Sequence, residues 1–144
     1  MTKLVSTRVE TRPCPACAGG MARATRKRWI RYQNKKVKID QPAWWCRECG
    51  EGVLDAKDSV VADRAFATLK AKAEGVLGPA AIARVRARLK LTQRRAGKIL
   101  GGGARAFQRY ESGAVVVSQP MSHLLTLFGE HPELLSRLTA RPGD

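Results

Sequence analysis

The sequence predicts an α+β domain of a β-hairpin and one helix over residues 1–75, followed by an all-α domain of five short helices over residues 76–144. Three observations predict this fold class. Two C-x2-C pairs enclose a β-prone segment, and the apolar residues after it recur with helical spacing. Between the two regions, EGVLGP at residues 74–79 has glycines that end one helix and a proline suited to starting the next.

The four cysteines are predicted to bind one metal ion. Cys14 and Cys17 form the first C-x2-C pair, and Cys46 and Cys49 form the second. Two residues between cysteines let a tight turn aim both sulfurs at a point about 2.3 Å away, so two such turns complete a tetrahedral zinc site. Because protein fills all four positions, the zinc is expected to be structural, and we do not expect the chain to be an enzyme.

Two other interpretations of the cysteines stay open here: two disulfides, or the redox pair of a thiol oxidoreductase. A redox C-x-x-C is expected once, before a helix in a βαβ unit, and neither pair has that context. We expect a cytoplasmic protein without a membrane partner, where thiolates are favoured over disulfides. The first ten residues, MTKLVSTRVE, lack the apolar run of a secretory signal, and no apolar stretch approaches the roughly 20 residues that span a bilayer.

Between the cysteine pairs the sequence predicts a hairpin. Its β-prone positions, on either side of a turn at QNKK, are Trp29, Ile30, Tyr32, Val37 and Ile39. Seven cations cluster on it: Arg26, Lys27, Arg28, Arg31, Lys35, Lys36 and Lys38. This cluster is either a solvated face or a docking surface for an acidic or nucleic-acid partner.

A helix is predicted from Asp55 to Glu74, with Asp55 or Asp58 near its start. One apolar stripe of this helix is expected to pack on the hairpin, namely Val61, Ala65, Leu69 and Ala73.

The charge of the chain favours a polyanionic partner. Lys and Arg number 27 against 12 Asp and Glu, which gives a formal net charge of +15 at pH 7. Each phosphate that a cation neutralises releases condensed counterions, so this excess suits nucleic acid.

Five helices are predicted in the second domain. Their inward positions are Ile82, Val85 and Leu89 in the first; Ala96, Ile99 and Leu100 in the second, which Thr92 caps; Ala106, Phe107 and Tyr110 in the third, Ala104 to Ser112; Met121, Leu124, Leu125 and Phe128 in the fourth; and Leu134, Leu135 and Leu138 in the fifth. The last two helices carry more apolar positions than a small bundle must bury, so we expect them to form a homodimer contact.

The third of these helices is predicted to read DNA. Its polar positions, on the side opposite the core, are Arg105, Gln108, Arg109 and Ser112. Arg can bond bidentately to guanine and Gln to adenine, so this face suits base edges in a major groove. A capped helix and a glycine turn precede it, as in a helix-turn-helix motif. The expected contacts to DNA phosphates come from Thr92, Arg94, Arg95 and Lys98.

Two alternatives compete with this interpretation. The polar residues are ordinary surface positions of a helical bundle, or the glycines at 101–103 form a phosphate-binding loop. The second alternative is the weaker, because a P-loop needs G-x-x-x-x-G-K-[ST] after a buried strand. Here the glycines follow an amphipathic helix, and no Lys-Ser or Lys-Thr comes after them.

The series VRARLKLTQRRAGKILGGGARAFQRYESG, followed by HPELL and preceded by CPAC and CREC, resembles the MqsA family of antitoxins from about Arg12 to Leu138. The resemblance implies a lambda-repressor-like helix-turn-helix domain behind a zinc domain, with one structural zinc on the four cysteines. It implies that the zinc domain binds a ribonuclease toxin and that a dimer represses its own operon at a palindrome. It also implies base contacts from Arg105 and Arg109; the family has asparagine at the first position, so Arg105 is expected to prefer a different base.

The alternative function is a stand-alone transcriptional regulator whose zinc domain is only structural or senses a ligand. A small toxin reading frame beside this one is expected for an antitoxin and not for a stand-alone regulator.

Overall fold

The computed structural model describes residues 10–140. The two ends, which include most of the stretch searched for a secretory signal, lie outside the described residues. Four strands come first: β1 Thr11–Pro13, β2 Gly20–Tyr32, β3 Lys35–Cys46 and β4 Gly52–Val53. Six helices follow: α1 Ala56–Glu74, α2 Pro79–Arg88, α3 Gln93–Leu100, α4 Ala106–Ser112, α5 Gln119–Glu130 and α6 Leu135–Thr139, with a 3-10 turn at Pro132–Leu134. The predicted fold class, a small sheet with one helix and then five helices, is confirmed. We call residues 10–75 the amino-terminal half and residues 76–140 the helical half.

The strands form one antiparallel sheet in the order β1-β2-β3-β4. Strands β2 and β3 pair along their whole length, from Met21 opposite Cys46 to Tyr32 opposite Lys35. The hairpin is therefore much longer than the β-prone residues alone predict. It turns at residues 33–34 instead of over the whole of QNKK, with Gln33 in the left-handed region at φ 51°. Its length brings the two cysteine pairs together at one end.

Helix α1 packs against the hairpin, as predicted. The ring of Phe66 meets the ring of Tyr32 edge-on at 5.4 Å between centroids, and Gln41 Nε2 donates to the carbonyl of Asp58 at 2.8 Å. The predicted apolar stripe is only partly correct. Leu69 is buried, but Val61 is 38 % exposed, because it lines a groove between α1 and β3 that is open to solvent.

The helical half has its own apolar core. Its buried members are Ile82, Leu89, Leu91, Ala96, Leu100, Ala106, Phe107, Val117, Leu125 and Phe128. The predicted inward positions largely recur here, except that Leu138 is 39 % exposed. The third predicted helix starts at Ala106 instead of Ala104, which leaves Arg105 at the position before its first turn.

The two halves touch along α1. Gln119 Nε2 of the helical half donates to the carbonyl of Glu74 at the end of α1, at 3.3 Å. At Gly113, just after α4, a Cβ atom would fall 2.6 Å from the Cα of Arg64 in α1. The end of α4 therefore lies directly against α1, with no room for a side chain between them. Among the described helices, none is both long and apolar enough to cross a membrane.

Candidate metal centre and nucleic-acid interface

The first cysteine pair lies in the tight turn between β1 and β2. The backbone N–H of Cys14 donates to the carbonyl of Gly19 at 2.7 Å, and Ala18 adopts a left-handed conformation, φ 61°. The second pair starts at the end of β3, where the N–H of Cys46 donates to the carbonyl of Glu51 at 2.8 Å. Because Met21 pairs with Cys46 across the hairpin, the two turns meet at one end of the sheet.

The four sulfurs converge on one point. Cys14 Sγ lies 3.6 Å from Cys49 Sγ, and Cys17 Sγ lies 3.5 Å from Cys46 Sγ. All four sulfurs lie within 4.8 Å of one another. A tetrahedral ion with bonds of about 2.3 Å would separate its sulfur ligands by about 3.8 Å. The close pairs join one turn to the other and are far longer than a disulfide bond of about 2.05 Å, so the arrangement fits a closed four-thiolate metal site.

Backbone amides around the sulfurs support this fit. The N–H groups of Ala16, Gly19 and Glu48 donate to the sulfurs of Cys14, Cys17 and Cys46, each at 3.4 Å. Such donors stabilise thiolates, which are the form that binds metal. A bound zinc would supply a structural cross-link between the two turns, and with four protein ligands it would have no open position for a substrate.

The thiols have divergent pKa values. The pKa of Cys46 falls to about 6, because the backbone N–H groups of Cys49 and Glu48 donate to its sulfur. The N–H of Gly19 lowers the pKa of Cys17, but the adjacent sulfurs and burial raise it more, to about 12. Four sulfurs this close cannot all ionise at neutral pH without a cation among them, which is what a metal ion supplies.

A second cluster, which the sequence did not lead us to expect, ties the sheet to the start of α1. The two terminal nitrogens of Arg23, Nη1 and Nη2, donate to the carboxylate oxygens of the buried Asp58 at 2.6 and 2.7 Å. These hydrogen bonds lower the pKa of Asp58 to about 2. Asp55 accepts from Trp44 Nε1 at 2.9 Å and from Arg12 at 3.2 Å. The carboxylate of Asp58 also accepts from the N–H of Asp55 at 2.9 Å, so it caps the helix. These contacts hold α1 beside the metal centre.

In the helical half, the three glycines form the turn between α3 and α4. Gly101, Gly102 and Gly103 all have positive φ, at 104°, 89° and 90°, where side chains are strained. The turn also folds back onto α3, because a Cβ at Gly97 would fall 1.9 Å from the carbonyl oxygen of Gly103. The triplet is thus a tight turn, as a helix-turn-helix motif requires.

This turn presents one face of α4 to solvent. Arg105, Gln108 and Arg109 are exposed, whereas Ala106 and Phe107 on the opposite side are buried. Ser112 is half-buried, and its hydroxyl donates to the carbonyl of Arg109 at 3.2 Å. On α3, Thr92 caps the helix by accepting from the N–H of Arg95 at 3.2 Å, and Arg94, Arg95 and Lys98 are exposed. The predicted base-reading and phosphate-contacting cations are therefore on the surface, while Ser112 is engaged within its own helix end.

One residue that the sequence analysis did not single out fixes this helix in place. Glu111 accepts from Arg86 of α2 at 2.9 Å and from Gln93 of α3 at 3.0 Å. Burial raises the pKa of Glu111, but the hydrogen bonds from Arg86 and Gln93 lower it more, so the pKa lies below its usual value. The sequence gives no signal that Glu111 has this role, because its partners Arg86 and Gln93 are distant from it in sequence.

Three of the seven cations in the predicted hairpin cluster lie over tryptophan rings. Arg26 lies 4.7 Å from the ring centroid of Trp45, and Lys36 and Lys38 lie 4.9 and 5.6 Å from that of Trp29. Trp29 is 47 % exposed. Cation–π contacts of this kind account for part of the cluster without a partner, and its role as a docking surface stays a prediction.

Comparison with known proteins confirms the resemblance. The family model described as the antitoxin component of bacterial toxin-antitoxin systems, MqsA, matches residues 12–139. Antitoxin MqsA of Escherichia coli strain K12 is 31 % identical over 131 residues, which cover 87 % of this chain and 98 % of that protein. The matched range contains both cysteine pairs and all six helices. The chain therefore belongs to the MqsA family, the antitoxin components of bacterial toxin-antitoxin systems.

Proposed function

We propose that this antitoxin neutralises a ribonuclease toxin through its amino-terminal half and represses its own operon through its helical half. The role is non-enzymatic and cytoplasmic. Membership of the family supports a toxin partner. The single observation that supports sequence-specific DNA binding is the exposed face of α4, where Arg105, Gln108 and Arg109 stand clear of the core after a helix-turn-helix turn.

In the proposed complex, α4 enters the major groove of operator DNA. Arg109 and Arg105 contact base edges, and Gln108 lies between them. Thr92, Arg94 and Arg95 contact phosphates around the start of α3, where the N–H groups and the helix dipole also favour an anion, and Lys98 contacts a phosphate from the last turn of the helix. Ser112, the last polar position of this face, contacts DNA from the end of α4.

A pair of variants tests the DNA proposal. Arg109→Ala is expected to cost about 1 to 3 kcal/mol on the operator and to relax preference at one base pair, whereas Arg95→Ala weakens binding to all sequences alike. Fluorescence anisotropy with the DNA upstream of the gene and with a scrambled duplex measures both. Equal losses on the two duplexes for both variants would contradict the assignment of α4 as the recognition helix.

A test in cells addresses the toxin. The small reading frame beside this gene is expected to arrest growth and degrade RNA when expressed alone, and co-expression with the antitoxin is expected to restore growth. Without such a neighbour, the better account of the same chain is a stand-alone regulator.

Three further parts of the proposal have their own supports. The ion is zinc, which suits four thiolates in a closed site, and elemental analysis of the purified protein identifies it.

The chain divides into two domains, residues 1–75 and 76–144, since each half has its own buried cluster. The protein dimerises through α5 and α6 on a palindrome, because Leu127 and Leu138 are 45 % and 39 % exposed there.

A further inference from the structure

An open apolar groove runs between α1 and β3 on the amino-terminal half. Its floor consists of Val37 from β3 and of Val60, Val61, Ala65 and Leu69 from α1, and its volume is about 680 Å³. We call it the α1 groove. Val60 is 46 % exposed and Val61 38 % exposed, so the floor is open to solvent. Covering apolar side chains of this kind with a partner is favourable, because it removes their surface from water.

The rim of the α1 groove is cationic. Lys36, Arg64 and Lys72 line it, and none of the described residues lining it is acidic. A partner that covers the floor would therefore bring its own edge against three positive charges. Carboxylates at that edge would be attracted, and lysines or arginines would be repelled.

We propose that the α1 groove receives an acidic amphipathic segment of the toxin, whose apolar side chains fill the floor and whose carboxylates meet Lys36, Arg64 and Lys72. The inference rests on the proposed function, since it takes the toxin as the occupant. A chain with a net charge of +15 attracts a partner most strongly through an acidic surface.

The other occupants fit less well. A nucleic-acid strand binds through phosphates and stacked bases, but the floor is aliphatic and offers no aromatic ring for stacking. A second copy of this chain would bring another strongly cationic surface against the cationic rim. Both alternatives are distinguished by the experiment below.

The test uses the full chain with its metal bound and two probes. One probe is the protein encoded by the small reading frame beside this gene. The other is a synthetic helical peptide of about 16 residues with leucines at i, i+3, i+4 and i+7 flanked by glutamates, and its matched control carries lysines in place of the glutamates. Isothermal titration calorimetry measures both affinities, and metal content and circular dichroism confirm that each variant is folded.

Three variants separate the floor from the rim. Val61→Asp puts a charge on the floor and is expected to weaken binding of both probes about tenfold or more. Lys72→Glu is expected to weaken binding several-fold at low salt and less at high salt. Lys57→Glu is the matched control, because it makes the same charge change at an exposed position of α1 outside the groove, and it is expected to leave affinity unchanged. A glutamate-to-lysine change at the partner's edge is expected to restore binding to the Lys72→Glu variant.

Each negative result would contradict a different part of the proposal. If the neighbouring protein binds all four chains equally, the groove is not its site, although the proposed function stands. If that protein does not bind the wild-type chain, the toxin is not the occupant and the proposed function fails with it. Displacement of the acidic peptide by a single-stranded oligonucleotide, or loss of self-association in Val61→Asp with probe binding intact, overturns the proposal in favour of nucleic acid or a second copy.

Discussion

The two halves of the molecule are held together in different ways. At the metal end of the amino-terminal half, the buried apolar cluster is Cys14, Met21, Trp44 and Cys46, so half of it consists of candidate metal ligands. The other buried apolar side chains of this half are few and mostly small: Ile30, Ala43, Ala67, Leu69 and Ala71. The cluster of the helical half contains ten buried side chains, from Ile82 to Phe128, and no cysteine. We therefore expect the first half to depend on a bound ion, and the second half to fold without one through its larger apolar core and the Arg86–Glu111 pair.

The largest effect should follow from removal of the metal. We expect Cys46→Ser, or a chelator, to unfold the amino-terminal half, because a four-cysteine zinc site contributes about 10 to 16 kcal/mol of apparent folding free energy. All three tryptophans, Trp29, Trp44 and Trp45, lie in that half, so tryptophan fluorescence reports on it alone. Circular dichroism should still show the helices of the other half. Simultaneous loss of both signals would mean that the halves fold as one unit.

The converse change acts on the helical half. Phe107 is fully buried, and Phe107→Ala is expected to cost about 3 to 5 kcal/mol through the cavity it leaves. Urea unfolding followed by circular dichroism measures this loss. Metal content and tryptophan fluorescence should stay as in the wild-type protein, and their loss would show that the metal centre depends on the helical core.

Paired glycine substitutions sharpen the comparison at the level of the backbone. Gly97→Ala is expected to destabilise the helical half by about 1 to 3 kcal/mol, because the new methyl group would overlap the carbonyl of Gly103. Gly20→Ala, in the amino-terminal half, places its methyl group in open space and is expected to change stability by less than about 0.5 kcal/mol. Thermal unfolding of the two variants tests this order, and a smaller loss for Gly97→Ala would mean that the turn can move away from α3.

The smallest effect concerns pH. In the folded protein the pKa of Glu111 lies below its ordinary value of 4.5. The charge of Glu111 therefore stabilises the helical half fully at pH values above that ordinary pKa. This stabilisation is lost as the pH falls through the lower pKa of the folded state. In Glu111→Gln the helical half should be less stable at pH 7, by about 1 kcal/mol, and its stability should depend less on pH below 4.5. Urea unfolding at several pH values measures both. Parallel pH profiles for variant and wild type would contradict the role given to the ion pair with Arg86.

The parts of the molecule that sequence reasoning predicted are those with a local signal. The cysteine spacing identified the metal centre, and helical periodicity identified the five helices and the exposed face of α4. What it missed depends on pairs distant in sequence. Strands β1 and β4 are three and two residues long and exist only because the cysteine turns place them beside the hairpin. The Arg23–Asp58 and Arg86–Glu111 pairs likewise join residues that only the fold brings together.

The inward stripe of α1 shows the limit of periodicity more sharply. A repeat of three to four residues places Val61 and Leu69 on one side of a helix, but it does not say how far the neighbouring sheet extends along that side. Here Leu69 is buried, whereas Val61 lies where the groove between α1 and β3 is open to solvent. The same uncertainty applies to the start of α4, because Ala104 and Arg105, which periodicity assigned to the helix, belong to the turn that follows the three glycines.

The contact between Arg64 and Gly113 joins the α1 groove to the proposed recognition helix, and so would couple the two ligands proposed above. Arg64 lines the α1 groove, its backbone abuts Gly113 at the end of α4, and its charge helps to lower the pKa of Glu111. A partner that displaces this turn of α1 acts directly on the helix that carries Arg109. By thermodynamic reciprocity, the factor by which such a partner changes the affinity for DNA equals the factor by which DNA changes the affinity for the partner. If that partner is the toxin, the fraction of operator DNA bound by this protein would depend directly on the concentration of free toxin.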